Sequence, residues 1–214
     1  MSKRRSGTVM MACGLVLILS AAALTGYNLW EEREASASVM QVLEQLQTLD
    51  TPSAKPPAEQ RPLKEEEVVP DYLLDPTMEM PVREISGWEY IGTLEIPALE
   101  KSLPIISRWS YPALKVSPSR YSGSAYTDDL IIAGHNYQSH FSGLSQLKHG
   151  DALSFTDMDG NKFLYEVVLV ETLRPTDLDV LTGEDWDLTM FTCTPGGRAR
   201  VTVRCERQDT TVFS

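Results

Sequence analysis

Short runs of apolar and β-branched residues, separated by polar turns, recur through the second half of the chain. Helical stretches there are brief and lie near Tyr111 to Leu114 and at Phe141 to Leu147. Seven runs predict β-strands: Tyr90 to Ile96, Leu103 to Ile106, Leu130 to Ala133, Ala152 to Thr156, Phe163 to Thr172, Leu188 to Cys193 and Arg200 to Glu206. Seven or eight strands in about 120 residues favour a mainly β domain built as a closed barrel.

The N-terminus has a different pattern, an apolar run from Thr8 to Leu29 behind a basic flank at Lys3 to Arg5. A run of about 20 apolar residues spans a bilayer, and a basic flank stays cytoplasmic. We therefore expect a single-pass anchor at the cell membrane, with the C-terminal domain on the extracellular face. The alternative is a signal peptide cleaved after Ala21 to Ala23. We favour the anchor because apolar residues continue to Trp30. Cys13 lies inside this run as an apolar packing residue.

Residues 31–100 are strongly acidic, with sixteen acidic and five basic side chains, a net charge of −11 that equals that of the whole chain. No basic face emerges anywhere, so nucleic acid is not an expected partner. Ala35 to Leu49 has helical apolar spacing and predicts a short helix. Thr51 to Pro70 contains five prolines and predicts an extended linker. We expect three parts: a cytoplasmic tip and anchor at 1–30, an acidic stalk and strap at 31–85, and the barrel at 86–214.

The last two predicted strands form a hairpin around Thr194 to Gly197, because its proline and two glycines favour a tight turn. If the turn centres on the two glycines, Cys193 faces Arg200 with about 5 Å between Cβ atoms. A guanidinium beside a thiol favours the thiolate and can stabilise an oxyanion. A slip of one residue would put the two groups on opposite faces.

Three histidines are available as proton-transfer partners for this cysteine. His135 follows the short strand Leu130 to Ala133 and Gly134, so the strand delivers its imidazole to an edge. His140 and His149 lie in polar, turn-like surroundings, and we expect both to be solvated. A lone cysteine near a strand end is more often a small buried hydrophobe than a nucleophile, so each residue alone is weak support.

Cysteine pairing and metal binding are not predicted. In the assumed register Cys205 faces Leu188, about 16 Å from Cys193 along the strand, which is too far for a disulfide. Cys193 should therefore carry a free thiol. No His or Cys pair has ligand spacing, and Asp157 to Asn161 is typical of a hairpin turn rather than a calcium loop. We expect no metal and no cofactor.

Several segments resemble the sortases, cysteine transpeptidases that attach proteins to Gram-positive cell envelopes. Thr189 to Cys193 is similar to their Thr-Leu-x-Thr-Cys motif, with Met190 in place of leucine. Ala133 to Asn136 resembles their catalytic histidine segment, and Arg200 to Val203 resembles the strand of their essential arginine. The resemblance covers roughly 92–206. It implies the eight-stranded sortase barrel.

The resemblance also implies a mechanism and partners. Cys193 would attack the carbonyl of a Leu-Pro-x-Thr-Gly-like sorting signal, with His135 and Arg200 as the other catalytic residues and Thr192 positioning the substrate. The thioacyl-enzyme would pass to an amine of the cell wall precursor or of a pilin. Surface proteins or pilins with a C-terminal sorting signal would be the acyl donors.

Two alternatives and one local ambiguity stay open. The chain could be another kind of cell-surface cysteine hydrolase, or a non-catalytic tethered β-domain with an inert Cys193. Asp75-Pro76 in the strap Asp71 to Pro81 is similar to the Asp-Pro-aromatic lid of some pilus-building sortases. Because Thr77 replaces the aromatic residue, we favour packing of the strap on the barrel over an inhibitory lid.

Overall fold

The computed structural model describes residues 2–50, 69–183, 185–194 and 196–208, and its main feature is one closed sheet. The strands in these ranges are β1 (Arg83–Ile85), β2 (Trp88–Ile96), β3 (Lys101–Ile106), β4 (Ser119–Ser122), β5 (Leu130–Gly134), β6 (Ala152–Asp157), β7 (Lys162–Leu173), β8 (Leu188–Cys193) and β9 (Arg200–Arg207). All seven predicted strands are present within a residue or two of their expected bounds.

Eight of these strands form the barrel. The strand order is β1-β2-β3-β4-β5-β8-β9-β7-β6, and β6 pairs back with β2 to close the ring. β1 lies outside the ring as a hairpin partner of β2. Two pairs are parallel, β3 with β4 and β5 with β8, and the others are antiparallel. The predicted closed eight-stranded β-barrel is confirmed.

Helices are few and mostly short in the described residues. They are α1 (Ser2–Asp50), α2 (Asp71–Leu74), α3 (Tyr111–Val116) and α4 (Leu178–Thr182), with 3-10 turns at Pro97–Leu99 and Leu144–Gln146. The serine before α3, Ser110, accepts a hydrogen bond from Ala113 N at 3.1 Å, so its side chain satisfies a free amide at the helix start. The helix predicted from Phe141 to Leu147 is reduced to the second 3-10 turn.

The core fills the barrel from alternate strand positions. Leu94, Ile96, Leu130, Ile132 and Met190 are completely buried there. A smaller apolar layer covers the outer face of β5 and β8 and contains Leu114, Ile131, Ala133, Leu173, Leu181 and Phe191. This outer layer covers the part of the barrel surface formed by β5 and β8.

Helix α1 is long enough and apolar enough to cross a membrane from Met10 onward, judged by length and composition. Its C-terminal half packs on the barrel, where Val42 and Leu46 contact Tyr90 and Ile106. The helix predicted within 35–49 is confirmed as part of this longer one. Nearly all of the predicted linker, residues 51–68, lies outside the described residues.

The strap packs on the barrel surface, as the sequence favoured. Tyr72 stacks on Tyr126 with 4.7 Å between ring centroids, and Met80 is 3% exposed. Asp75 accepts hydrogen bonds from the backbone and the hydroxyl of Thr77, so its side chain closes a local turn.

Candidate active site

Cys193 is the last residue of β8 and is exposed, whereas the five residues before it are buried. The ladder pairs Cys193 with Arg200 and Leu188 with Cys205, which confirms the predicted hairpin register. The three cysteines of the chain are free thiols, and Cys205 is fully buried in the barrel core as predicted. Burial raises the pKa of the Cys205 thiol, which keeps this thiol protonated and inert.

The turn after Cys193 is fixed by Thr194 and the two glycines. Thr194 N donates to Ala199 O at 2.8 Å, and Ala199 N donates to the Thr194 hydroxyl at 3.1 Å. Gly196 and Gly197 have φ values of 83° and 69°, which glycine adopts without a steric penalty. The short turn therefore sets the position of the thiol relative to β9.

His135 reaches the same edge of the sheet from the other side of β8. Strands β5 and β8 are parallel, and their last paired residues are Gly134 and Thr192. His135 and Cys193 each follow directly, so their backbones are neighbours at about 4.8 Å, the spacing of adjacent strands. The backbones of His135, Cys193 and Arg200 therefore lie in a row across β5, β8 and β9.

Residues 135–142, here called the histidine loop, are held against the barrel. Phe141 N donates to His135 O at 3.1 Å, and His140 N donates to Tyr137 O at 3.0 Å. A Cβ at Gly134 would lie 2.6 Å from Cδ2 of Phe141, so only glycine lets this buried ring close under the strand end. The histidine loop is thus packed against the barrel, and this packing fixes the position of His135.

The groups around His135 shift its pKa in opposite directions. Burial lowers its pKa, the negative charge of Glu31 acts in the opposite direction, and the positive charge of Lys115 lowers it further. The net effect is a lowered pKa, so the imidazole is mainly neutral at pH 7. A neutral imidazole is the form that can accept a proton from a thiol.

The Arg200 guanidinium is already anchored. Its carbon Cζ lies 5.8 Å from the centroid of the Phe191 ring, and Nη1 donates to Pro175 O at 2.6 Å. Since Phe191 and Cys193 alternate with Thr192 along β8, the ring and the thiol belong to the same face. The guanidinium is therefore on the cysteine side of the sheet.

The structure brings three of the four predicted site residues to one patch but separates the fourth. Thr192 is 2% exposed, and its position on β8 places it with Met190 on the interior side. Its hydroxyl has no hydrogen-bond partner among the described residues. Thr192 is thus adjacent to Cys193 in the chain but on the opposite face.

The prediction that His140 is solvated was wrong, whereas His149 has a side chain that is 74% exposed, as predicted. The His140 ring is fully buried and lies 5.3 Å from Tyr137. Its Nε2 lies 3.3 Å from Val116 O, and burial lowers its pKa to about 4. The polar sequence around it misled the prediction because packing of the loop against α3 is a tertiary effect.

Three side chains near His135 were not identified from the sequence. Tyr137 lies 4.8 Å from His135 between ring centroids, and Glu31 and Lys115 provide the nearby charges. Of these three residues, only Tyr137 is close to His135 in sequence, two residues after it, so only Tyr137 could have been identified from the local sequence. Among the residues that the structure describes, no group of three His, Cys, Asp or Glu side chains could hold a metal ion.

A cavity of about 610 Å³ opens between the strap and the barrel. Strap residues 76–80 line one side, and Trp109, Arg120 and Tyr121 line the other. Tyr121 contacts Phe191 edge to face, with 5.5 Å between ring centroids. Phe191, two residues before Cys193 on β8, thus packs against the Tyr121 wall of the cavity.

Two solved structures with the same fold come from streptococci. Sortase C1 from Streptococcus agalactiae is 26% identical, with a TM-score of 0.53 over 68% of this chain and 80% of that chain. A pilus-related sortase C of Group B Streptococcus is 24% identical, with a TM-score of 0.51 over 64% of this chain and 79% of that chain. A search of curated proteins gave no match.

A sequence profile of the sortase domain matches residues 94–208, slightly more than half of the 214 residues. The matched segment contains every strand from β3 to β9 and all of the proposed site residues. The chain therefore belongs to the sortase family of transpeptidases.

Proposed function

We propose that the protein is a membrane-anchored cysteine transpeptidase that cleaves a Leu-Pro-x-Thr-Gly-like sorting signal and transfers the acyl group to an amine. The observation that carries this proposal is the row of His135, Cys193 and Arg200 across three neighbouring strands. Family membership supports the reaction class. The exposed thiol in that row is the reacting group.

The reaction begins with transfer of the Cys193 proton to neutral His135. The thiolate attacks the threonine carbonyl, and Arg200 with nearby backbone amides stabilises the oxyanion. The imidazolium of His135 then protonates the leaving amine as the peptide bond breaks. An incoming amine, with His135 as base, resolves the thioester and regenerates the thiol. Water in place of the amine would give slow hydrolysis.

The sorting signal is proposed to bind in the cavity beside the strap. Aromatic rings at Trp109 and Tyr121 line the side nearest Phe191 and suit the apolar leucine and proline of such a signal. The acyl donors would be surface proteins or pilins with a C-terminal sorting signal. The acceptor would be an amine of a cell wall precursor or a pilin. The predicted role of Thr192 in positioning the substrate is not part of this proposal, because its side chain lies on the interior face.

The proposed topology puts this site outside the cell. The apolar part of α1 is proposed as a single-pass anchor, with residues 1–30 as cytoplasmic tip and span, 31–85 as stalk and strap, and 86–214 as the catalytic barrel. The basic residues before the span favour a cytoplasmic N-terminus.

Mass spectrometry of the full chain in detergent micelles tests the chemistry. Incubation with a library of sorting-signal peptides should produce a thioester adduct on Cys193, and the Cys193→Ala variant should form none. The matched control is Cys205→Ala, which should retain the adduct because this thiol is buried. Cleavage by the Cys193→Ala variant would refute the nucleophile assignment. A free acid as the sole product with amine acceptors present would indicate a hydrolase.

A further inference from the structure

Two carboxylates at the end of the apolar part of α1 contact the surroundings of the histidine loop. Glu31 Oε1 lies 2.5 Å from Lys115 Nζ, and Glu32 Oε1 accepts a hydrogen bond from Gln138 N at 2.9 Å. The Glu31 side chain is only 19% exposed, whereas Glu34, one turn further, is exposed. The helix therefore docks on the loop through this pair of residues.

The contact continues from Glu31 to the proposed catalytic histidine. The Tyr137 ring lies 4.8 Å from the His135 ring between centroids. Burial raises the pKa of Tyr137, and the nearby Glu31 carboxylate raises it further. The Tyr137 ring also lies 5.3 Å from the His140 ring between centroids. Tyr137 is thus close to both imidazole rings through its own ring and to the Glu31 carboxylate through its hydroxyl.

The charged and titratable groups around His135 come from four elements. They are Tyr27, Glu31 and Glu32 of α1, Lys101 of β3, Lys115 of α3, and Tyr137 and His140 of the histidine loop. Glu31 and Glu32 are the negative members of this set at neutral pH. A negative charge favours the imidazolium that forms once the thiol has been deprotonated.

We propose that Glu31 is a positioning residue for His135: its carboxylate anchors Tyr137 against the imidazole and provides the negative charge that stabilises the imidazolium. The catalytic part of this inference rests on the proposed function, because it concerns the proton that His135 delivers to the leaving amine. The docked helix end thereby becomes part of the active site, although it lies more than 100 residues from His135 in sequence.

An NMR titration and steady-state kinetics of the full chain in detergent micelles test the role of Glu31. The Glu31→Gln variant retains the size and hydrogen-bonding capacity of the side chain but loses its charge. The ring-proton titration midpoint of His135, assigned with a His135→Gln variant, should fall. The kcat/KM for a sorting-signal peptide should fall about twofold to fivefold, mainly through kcat, as expected for a partly exposed charge. The matched control Glu34→Gln should change neither quantity.

A charge swap separates positioning from simple docking. The double variant Glu31→Lys with Lys115→Glu retains the ion pair but removes the carboxylate that holds Tyr137, so it should not restore the wild-type midpoint or kcat/KM. Restoration of both values in the double variant would refute the proposal. A titration midpoint of Glu31→Gln equal to that of the wild type would also refute it, and so would an unchanged kcat/KM of Glu31→Gln. Absence of turnover by the wild type would refute the proposed function instead, since the titration needs no peptide.

Discussion

The buried Arg204 offers a sharp test of the division between the structural arginine and the proposed catalytic arginine on β9. Its side chain is completely buried and makes four hydrogen bonds to residues that the structure describes. Nε donates to Glu171 at 3.0 Å, Nη1 to Leu181 O at 3.0 Å and Thr189 Oγ1 at 3.2 Å, and Nη2 to Val180 O at 2.8 Å. These bonds join α4 to the outer face of β8 and β9.

Replacement of Arg204 by methionine should destabilise the barrel by about 3 to 5 kcal/mol, the range for removing one partner of a buried ion pair. The Glu171 side chain is 25% exposed and regains some hydration, which favours the lower end of the range. The carbonyls of Val180 and Leu181 lose a donor, at about 1 to 3 kcal/mol for each group left unsatisfied, which favours the upper end. For a domain of this size the melting temperature should fall by about 10 to 20 °C.

Thermal unfolding of the full chain in detergent, followed by near-UV circular dichroism, measures this loss. The matched control is Arg200→Met, because Arg200 is partly exposed and makes one described hydrogen bond. It should melt within about 3 °C of wild type, since a single exposed contact contributes at most about 1 kcal/mol. Its rate of acyl-enzyme formation should nevertheless fall by about 100-fold or more. A melting temperature for Arg204→Met within about 3 °C of wild type would refute the structural role.

Two further predictions concern the histidine loop. Gly134→Ala should lower kcat/KM by more than about tenfold, because the new Cβ displaces Phe141 and thereby moves His135, and small misplacements at a reacting centre are costly. Unchanged steady-state kinetics would contradict this. His140 has a pKa of about 4 in the folded state, below the ordinary value of 6.5, so the unfolded chain binds the proton first. Stability should be complete above about pH 6.5 and should fall by up to about 3 kcal/mol as the pH drops to 4. Melting curves against pH should show this slope, and the His140→Asn variant should flatten it.

The hairpin could be predicted from the sequence because its signals are local. Alternation in β8 and β9 and the two glycines set the register that pairs Cys193 with Arg200. Strands β1 and β4 were not predicted, because each has only three or four residues and little apolar alternation. β1 pairs with β2 across the two-residue turn Ser86-Gly87, and β4 pairs with β3 and β5, so both strands are defined by their partners rather than by an apolar pattern of their own.

The role of Glu31 could not be predicted for a related reason. By composition it belongs to an acidic segment that is typical of a solvated stalk. Its ion pair with Lys115 spans 84 residues of sequence. The apolar spacing that includes Val42 and Leu46 did predict the helix, but only the fold shows that these residues pack against Tyr90 and Ile106.

The position of the thiol follows from where the outer apolar layer ends. Along β8, Thr189 and Phe191 point outward and are nevertheless buried, because the layer formed with Ile131 and Leu181 covers them. Cys193 is the next outward position, and it lies beyond this cover. A shift of one residue would bury the thiol in the core and bring Thr192 to the surface. An exposed thiol thus requires that β8 end one residue beyond the outer apolar layer and that the side chain of its last residue point outward.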